Sequence, residues 1–188
     1  WYLDNQRERK INSVSDALKG SYLGPAFSDS EIERELKASG AVFKKCSENE
    51  LIEEVTSALV NEKVIGWMQG RMEFGPRALG GRSIIADPRS HKMQKQLNLK
   101  VKYRESFRPF APSVLCDDVG DWFEHYSDSP YMLLVANVKK DKHRIMTDKE
   151  KSLFGIEKLN VPRSSVPAIT HVDYSARIQT VHSNTNPR

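Results

Sequence analysis

GRMEFGPRALGGRSIIADPR, residues 70 to 89, is dense in arginine and is interrupted by glycine and proline. Gly75-Pro76 and Gly80-Gly81 break any helical face, so the segment cannot place its arginines along one helix. The apolar run SIIAD near its end is typical of a short strand. We therefore predict a turn-rich loop that presents guanidinium groups directly before a strand. Its arginines are Arg71, Arg77, Arg82 and Arg89.

Positive charge is concentrated around this loop. From residue 71 to residue 108, six arginines and four lysines accompany three acidic residues, a net charge of +7, whereas the whole chain carries +4. The remainder is therefore net acidic, which argues against an extended surface that coats nucleic acid. The pattern favours a local anion site. As an alternative, each arginine taken alone could be an ordinary exposed residue of a surface loop.

Helical and strand patterns alternate along the 188 residues, which predicts an α/β class with a mixed sheet. Capping boxes at Ser28 and Ser47 predict two helices. Further helices are expected at SHKMQKQLN and DDVGDWFEH, and residues 140 to 166 are polar enough to predict a long irregular loop. Strands are expected at KVIGWMQG, which should be buried, and at SIIAD, FRPFAPSVLC, YMLLVANVK, VPAITHVD and ARIQTV.

The polar start of the chain, residues 1 to 20, predicts a linker or a detached helix. We expect one domain over residues 21 to 188, cut from a longer protein and truncated at its end. The chain has no run of about 18 apolar residues, so no membrane span is predicted. Cys46 and Cys116 lie outside any C-x-x-C pattern and predict reduced thiols in a cytoplasmic protein.

A second basic element, KVKYRESFRPFAP, covers residues 100 to 112. Lys102 and Arg104 have K-x-R spacing, which on an extended segment would point both side chains to the same side. Arg108 follows at the start of a proline-bracketed strand. Two cations on one face would suit a polyphosphate. Alternatively, they decorate a solvated edge strand, where lysine guards against aggregation.

The third element is THVDYSARIQTV, residues 170 to 181, in which His171 and Asp173 are followed by Arg177. H-x-D can be half of a metal site, but no third or fourth ligand is obvious nearby, so we predict no metal and a hydrogen-bonding role for His171. A purely structural histidine is the alternative. The chain has no G-x-S-x-G, no Walker loop and no G-x-G-x-x-G, which argues against serine hydrolases, P-loop NTPases and dinucleotide enzymes.

These three motifs, in this order and preceded by LGPAFSDSEI, resemble the C-terminal region of NodU/CmcH-type O-carbamoyltransferases. The resemblance covers about residues 21 to 188. At two places the chain departs from the family pattern: Gly81 stands where asparagine is usual, and Tyr174-Ser175 replaces Gly-Thr. Neither departure removes a charged residue.

The resemblance implies a YrdC-like fold, a twisted mixed sheet with flanking helices around a positively charged cavity. Such a domain is expected to bind carbamoyl phosphate and ATP, the latter with Mg²⁺, and to form a carbamoyl-adenylate. The carbamoyl oxygen itself attacks the α-phosphorus, so no side-chain nucleophile is needed. An N-terminal domain of the actin-like ATPase class, with iron or another metal, then passes the carbamoyl group to an acceptor hydroxyl. We expect that partner domain to be absent from this chain.

Residue roles follow from the same resemblance. Lys102 and Arg104 are assigned to the nucleotide phosphates, and Lys102 also to catalysis. Carbamoyl phosphate or the adenylate is assigned to Arg71, Arg77 and Arg82, and the lining of the cavity to Arg108, His171 and Arg177.

Two further functions remain open. One is an RNA-binding YrdC-like module, although nucleic acid is not the expected partner. The other is a docking domain that has lost catalysis.

Overall fold

The computed structural model describes residue 5, residue 16 and residues 18 to 182, so the linker predicted over residues 1 to 20 lies almost entirely outside the described residues. From residue 18 onward the α-helices are α1 (Asp29–Ala38), α2 (Glu48–Val60), α3 (Met93–Lys100), α4 (Val119–Trp122), α5 (Asp148–Ser152) and α6 (Gly155–Leu159). Short 3-10 turns lie at Lys19–Ser21, Cys116–Asp118 and Lys140–Lys142.

Both predicted capping boxes are confirmed. Ser28 Oγ accepts from the Glu31 backbone N–H at 3.3 Å, and the Ser28 N–H donates to Glu31 Oε2 at 2.8 Å. Ser47 and Glu50 repeat the arrangement at the start of α2. These reciprocal bonds satisfy orphan N–H groups of the first turn, so each helix begins where its sequence predicts. Neither helix contains a buried residue.

The strands form three separate two-stranded sheets among the described residues. β1 (Ile65–Met68) and β2 (Arg82–Ile85) are antiparallel, and β3 (Ser113–Leu115) is parallel to β6 (Gln179–Val181). β4 (Val135–Asn137) pairs antiparallel with β5 (Ser175–Arg177). The predicted mixed α/β class is confirmed. Within residues 18 to 182 the strands do not join into one continuous twisted sheet, because each strand of three or four residues pairs with only one partner.

Two strand predictions need correction. KVIGWMQG does form β1, but its residues alternate between half-buried and exposed, so the strand is not buried. VPAITHVD is a turn instead of a strand. Thr170 Oγ1 lies 2.7 Å from Ser164 Oγ and donates to the Val166 carbonyl at 2.9 Å, and these side-chain bonds close the turn.

The irregular loop predicted for residues 140 to 166 contains α5 and α6. Arg163, only 6% exposed, holds the end of α6 in place. Its guanidinium donates to the carbonyls of Lys158, Leu159 and Val161 at 2.7 to 3.3 Å. These bonds satisfy carbonyls that the helix C-terminus leaves unpaired. The periodicity of so short a helix was too weak to indicate it.

The core lies between β4, β5 and α4. Ala176 and Ile178 are fully buried, and Phe123 and Val138 are almost fully buried against them. A second cluster contains Met93, Leu97 and Ala168, and Phe110 packs against both clusters. This packing joins α3 to the small sheets. Within the described residues, no helix has both the length and the apolar character that a membrane crossing requires.

Candidate anion-binding site

Glu73 lies at the centre of the arginine-rich loop, with its side chain fully buried. Its Oε1 accepts from the backbone N–H groups of Leu79, Gly81 and Arg82 at 2.6, 2.7 and 3.3 Å. Burial by itself would raise the pKa of Glu73. Hydrogen bonds from these three backbone N–H groups and from the N–H of Glu73 itself lower it by more, so the pKa lies below the ordinary 4.5. Glu73 is therefore a buried carboxylate that shapes the loop.

Arg82 pairs with this carboxylate instead of facing outward alone. Its Nε lies 3.4 Å from Glu73 Oε2, and its guanidinium also donates to the carbonyls of Glu73 and Gly75. Gly81 permits the close approach of these segments, because a Cβ at this position would lie 2.6 Å from the Arg71 carbonyl oxygen. The glycine that departs from the family pattern is thus required by this packing.

Leu79 connects the loop to distant parts of the chain. Its carbonyl oxygen accepts from Tyr22 Oη at 2.7 Å and from Gln179 Nε2 at 2.8 Å. Arg71 donates to the Gly24 carbonyl at 2.9 Å, which ties the loop to the same N-terminal segment. Fixed on both sides in this way, the loop presents Arg77 in a defined place.

Lys102 and Arg104 do not lie on an extended segment, and that prediction is wrong. The chain wraps around the end of α3: the N–H of Lys102 donates to the Leu97 carbonyl, and that of Arg104 to the Asn98 carbonyl. Tyr103 between them has a φ of +49°. This left-handed turn closes the helix end with bonds that an extended segment would leave unmade.

Arg104 is positioned by α3 and by the core. Its Nε donates to Asn98 Oδ1 at 2.6 Å, and its guanidinium carbon lies 5.0 Å from the centre of the Phe110 ring. Asn98 is fully buried, and its Nδ2 donates to the carbonyls of Ser106 and Arg108. One oriented amide therefore holds both the turn and the guanidinium.

Arg77, Arg104 and Arg177 come from distant segments of the chain and lie close enough for their charges to interact. Although Arg177 is exposed at the end of β5, desolvation of part of its side chain lowers its pKa, and the positive charges of Arg77 and Arg104 lower it further. Across residues 18 to 182, none of the three forms an ion pair with a carboxylate. Arg77 Nε is buried without a hydrogen-bond partner. Three uncompensated cations with an unpartnered donor form a place for an anion.

His171 adjoins this arginine cluster, defined as Arg77, Arg104 and Arg177. Burial lowers the pKa of His171, Asp173 acts in the opposite direction, and the charge of Arg177 adds to the lowering. His171 Nδ1 lies 2.9 Å from Ser175 Oγ. The predicted hydrogen-bonding role is therefore seen, and the lowered pKa favours a neutral ring near pH 7.

Tyr174 lies between His171 and Ser175 in the chain and has a φ of +66°, at the position where the family pattern has glycine. A non-glycine residue in this conformation costs roughly 1–2 kcal/mol. Its ring lies 4.3 Å from that of His143, and its carbonyl accepts from the Val138 N–H at 2.9 Å. These contacts hold the tyrosine in a conformation that it would otherwise avoid.

The other predicted site residues, Arg71, Arg82, Arg108 and Lys102, have contacts of their own or are exposed, and their binding roles remain predictions. Arg71 and Arg82 are engaged by the loop itself, as described above. Arg108 pairs with Glu105 at 2.9 Å, and Arg89 pairs with Asp87 at 2.6 Å. Lys102 is exposed. The structure thus separates arginines that build the loop from those left available for a ligand.

Sequence reasoning missed the residues that position the cluster, namely Glu73, Asn98 and Gln179. An acid inside an arginine-rich loop was a usable signal for Glu73, because a buried carboxylate commonly pairs with such neighbours. Nothing in the local sequence distinguishes Asn98 or Gln179 from exposed polar residues, since their partners are 10 and 100 residues away.

Comparisons with known proteins agree with the three motifs. The family model described as "Carbamoyltransferase C-terminus" matches residues 56–188. Relatives include an uncharacterized protein of Synechocystis sp., 58% identical over 100% of this chain, and nodulation protein NolNO of Sinorhizobium fredii, 38% identical over 91%. The 3'-hydroxymethylcephem-O-carbamoyltransferase of Amycolatopsis lactamdurans is 36% identical over 72%.

The chain spans 31%, 23% and 22% of the lengths of these three relatives. The match to the NolNO protein and to the cephem carbamoyltransferase falls in their C-terminal part. The resemblance that the motifs indicated is therefore confirmed, and the chain belongs to the carbamoyltransferase C-terminal domain family.

Proposed function

We propose that this domain binds ATP and carbamoyl phosphate and forms a carbamoyl-adenylate for transfer to an acceptor hydroxyl. The observation that carries the proposal is the arginine cluster, whose three guanidinium groups lack carboxylate partners within residues 18 to 182. Guanidinium groups bind phosphate and carboxylate oxygens through paired N–H donors. One relative is named for O-carbamoyl transfer to a cephem, which supports the choice of the carbamoyl group.

The proposed chemistry needs cations more than it needs a nucleophile. Carbamoyl phosphate gives its phosphate to water and leaves carbamate, whose oxygen attacks the α-phosphorus of ATP. Pyrophosphate departs, and carbamoyl-adenylate and phosphate are the other products. Negative charge grows on the departing pyrophosphate, where pre-placed donors such as Arg77 and Arg104 stabilise it. Lys102, at the turn that carries Arg104, is proposed to contact the same phosphates.

The residues of the cluster fit anions and not a resident metal, because a guanidinium cannot ligate a cation. Mg²⁺ would be held on the ATP phosphates, where it neutralises part of their charge. The N-terminal remainder of a longer protein, of the actin-like ATPase class with its own metal, is the proposed partner in transfer. Cys46 and Cys116 are free thiols, which supports a cytoplasmic location as part of this proposal.

ATP with Mg²⁺, and carbamoyl phosphate alone, are expected to raise the melting temperature of the protein. Ligand at about 100 times its Kd stabilises the folded state by roughly 2.7 kcal/mol. For a protein of this size that corresponds to a shift of roughly 5–10 °C. Thermal scans measure it, with adenosine at equal concentration and sodium chloride at equal ionic strength as controls. A shift that sodium chloride reproduces would indicate general screening in place of a site.

Carbamoyl-phosphate-dependent exchange of labelled pyrophosphate into ATP tests the reaction itself. Binding without exchange would restrict the domain to a binding role. Failure of ATP to bind would favour a docking domain that has lost catalysis. If RNA displaces ATP at near-physiological salt and binds with a steep salt dependence, the RNA-binding function replaces the one proposed here.

A further inference from the structure

Cys116 and His182 leave the same end of a parallel strand pair. β3 ends at Leu115 and β6 ends at Val181, and these two residues are partners in the parallel register. The next residue on each strand is therefore brought side by side. Asp128 joins them from the loop that precedes Ser129.

The three side chains point their ligand atoms toward one another. Cys116 Sγ lies 3.2 Å from Asp128 Oδ1, and His182 Nε2 lies 3.1 Å from the same oxygen. All three ligand atoms lie within 4.8 Å of one another. Ligands around a tetrahedral zinc ion are separated by roughly 3.3–3.8 Å, given metal–ligand distances of about 2.0–2.3 Å. Small side-chain rotations therefore suffice to admit an ion.

The loop that carries Asp128 is held in place by its neighbour. The Ser129 N–H donates to Thr180 Oγ1 at 2.7 Å, and Ser129 Oγ donates to the Ile178 carbonyl at 3.0 Å. Both hydrogen bonds are buried. The first reaches Thr180 within β6, and the second reaches Ile178, the residue before β6. Asp128 is thus fixed beside the strand that ends next to His182, which reduces the ordering cost of a shared ligand.

We propose that Cys116, Asp128 and His182 bind one divalent metal ion of the zinc class, with water in the fourth position. Thiolate, imidazole and carboxylate are the ligand types that zinc takes in proteins, whereas magnesium and calcium prefer oxygen alone. In the metal-free protein the Cys116 thiol donates to Asp128. The metal replaces that proton, which leaves to solvent as the metal–sulfur bond forms.

This metal site is separate from the arginine cluster and stabilises the fold instead of activating ATP. Gln179 begins β6 and reaches the arginine-rich loop, whereas His182 follows the other end of the strand. A metal ion here ties β3, β6 and the Asp128 loop together. Its loss is therefore expected to lower the melting temperature and to leave the Kd for ATP within about twofold.

Protection of Cys116 from alkylation tests the proposal in the unmodified full-length protein without an affinity tag. Zinc at about ten times its Kd should slow the reaction of Cys116 with iodoacetamide roughly tenfold by mass action. Cys46, the other free thiol, is the internal control and should react at an unchanged rate. Peptide mass spectrometry follows both sites at once. Equal rates at Cys116 with and without zinc would overturn the proposal.

Cobalt substitution identifies the ligands. Co²⁺ should produce a thiolate charge-transfer band that is lost in Cys116→Ser and retained in Cys46→Ser. His182→Gln and Asp128→Asn should weaken binding of Co²⁺ and Zn²⁺ by roughly 10- to 100-fold, with circular dichroism confirming that each variant is folded. If the band persists in Cys116→Ser, or disappears in Cys46→Ser, the metal lies elsewhere.

Discussion

Glu73→Ala is expected to lower the free energy of unfolding by about 2–6 kcal/mol, because it removes a buried carboxylate that accepts hydrogen bonds from two buried backbone N–H groups. The substitution leaves the N–H groups of Leu79 and Gly81 buried without an acceptor and removes the ion-pair partner of Arg82. Each orphaned group alone costs roughly 1–3 kcal/mol. Urea unfolding followed by circular dichroism measures the loss.

Glu53→Ala is the matched control, because Glu53 is an exposed residue of α2. It should change the free energy of unfolding by no more than about 0.5 kcal/mol. Glu73→Gln keeps one acceptor oxygen and loses the charge, so its effect should lie between those of the two alanine variants. Equal losses in Glu73→Ala and Glu53→Ala would show that the loop does not depend on the buried carboxylate.

The same residue predicts a pH dependence. The folded-state pKa of Glu73 lies below its ordinary 4.5, so its carboxylate adds stability above pH 4.5. That contribution is lost as pH falls through the lower folded-state pKa. The stability difference between the wild type and Glu73→Gln should therefore narrow in acid. A difference that stays constant from pH 7 down to the acid limit of folding would contradict this assignment.

Arg104→Gln is expected to weaken ATP binding by roughly 10- to 150-fold, which corresponds to 1.5–3 kcal/mol for one hydrogen bond to a charged group. The guanidinium is held by Asn98 and Phe110 and lies in the field of Arg177. Because it is already oriented, little entropy is spent when the phosphate arrives. Isothermal titration with ATP and Mg²⁺ gives the affinity directly.

The double variant Lys92→Ala, Lys95→Ala is the control for net charge. Both lysines are exposed, at and just after the start of α3, and should contribute little to a localised ligand. If this variant loses as much affinity as Arg104→Gln, the site lies elsewhere on the basic segment.

The stability of the ligand-free protein tests the arginine cluster in a second way. Arg177→Gln should be at least as stable as the wild type, because the substitution removes repulsion among three guanidinium groups.

Features that depend on neighbours in the chain were predictable from the sequence alone. The capping boxes at Ser28 and Ser47 each involve residues three positions apart, and both helices begin as predicted. The turn-rich loop followed by β2 was predictable because glycine and proline act on local backbone angles. The family was indicated by the order of three motifs and is confirmed by the comparison.

Tertiary structure alone decided which arginines remain available for a ligand. Arg71, Arg82 and Arg77 look alike in sequence, yet Arg71 is bound to the Gly24 carbonyl and Arg82 to Glu73, while Arg77 keeps a buried unpartnered donor. Partner choice of this kind depends on contacts between segments far apart in the chain. Local propensity contains no information on such contacts.

Contacts beyond the local sequence also explain why the turn at Tyr103 and the cluster of Cys116, Asp128 and His182 were not predicted. The K-x-R spacing places the side chains of Lys102 and Arg104 on one face only if the backbone is extended. At the end of α3 the chain turns instead, with Tyr103 in the left-handed conformation. Cys116 and His182 become neighbours only because β3 and β6 pair in parallel with Leu115 opposite Val181. Strand register is decided by which faces the whole fold can bury, and no single segment of sequence determines it.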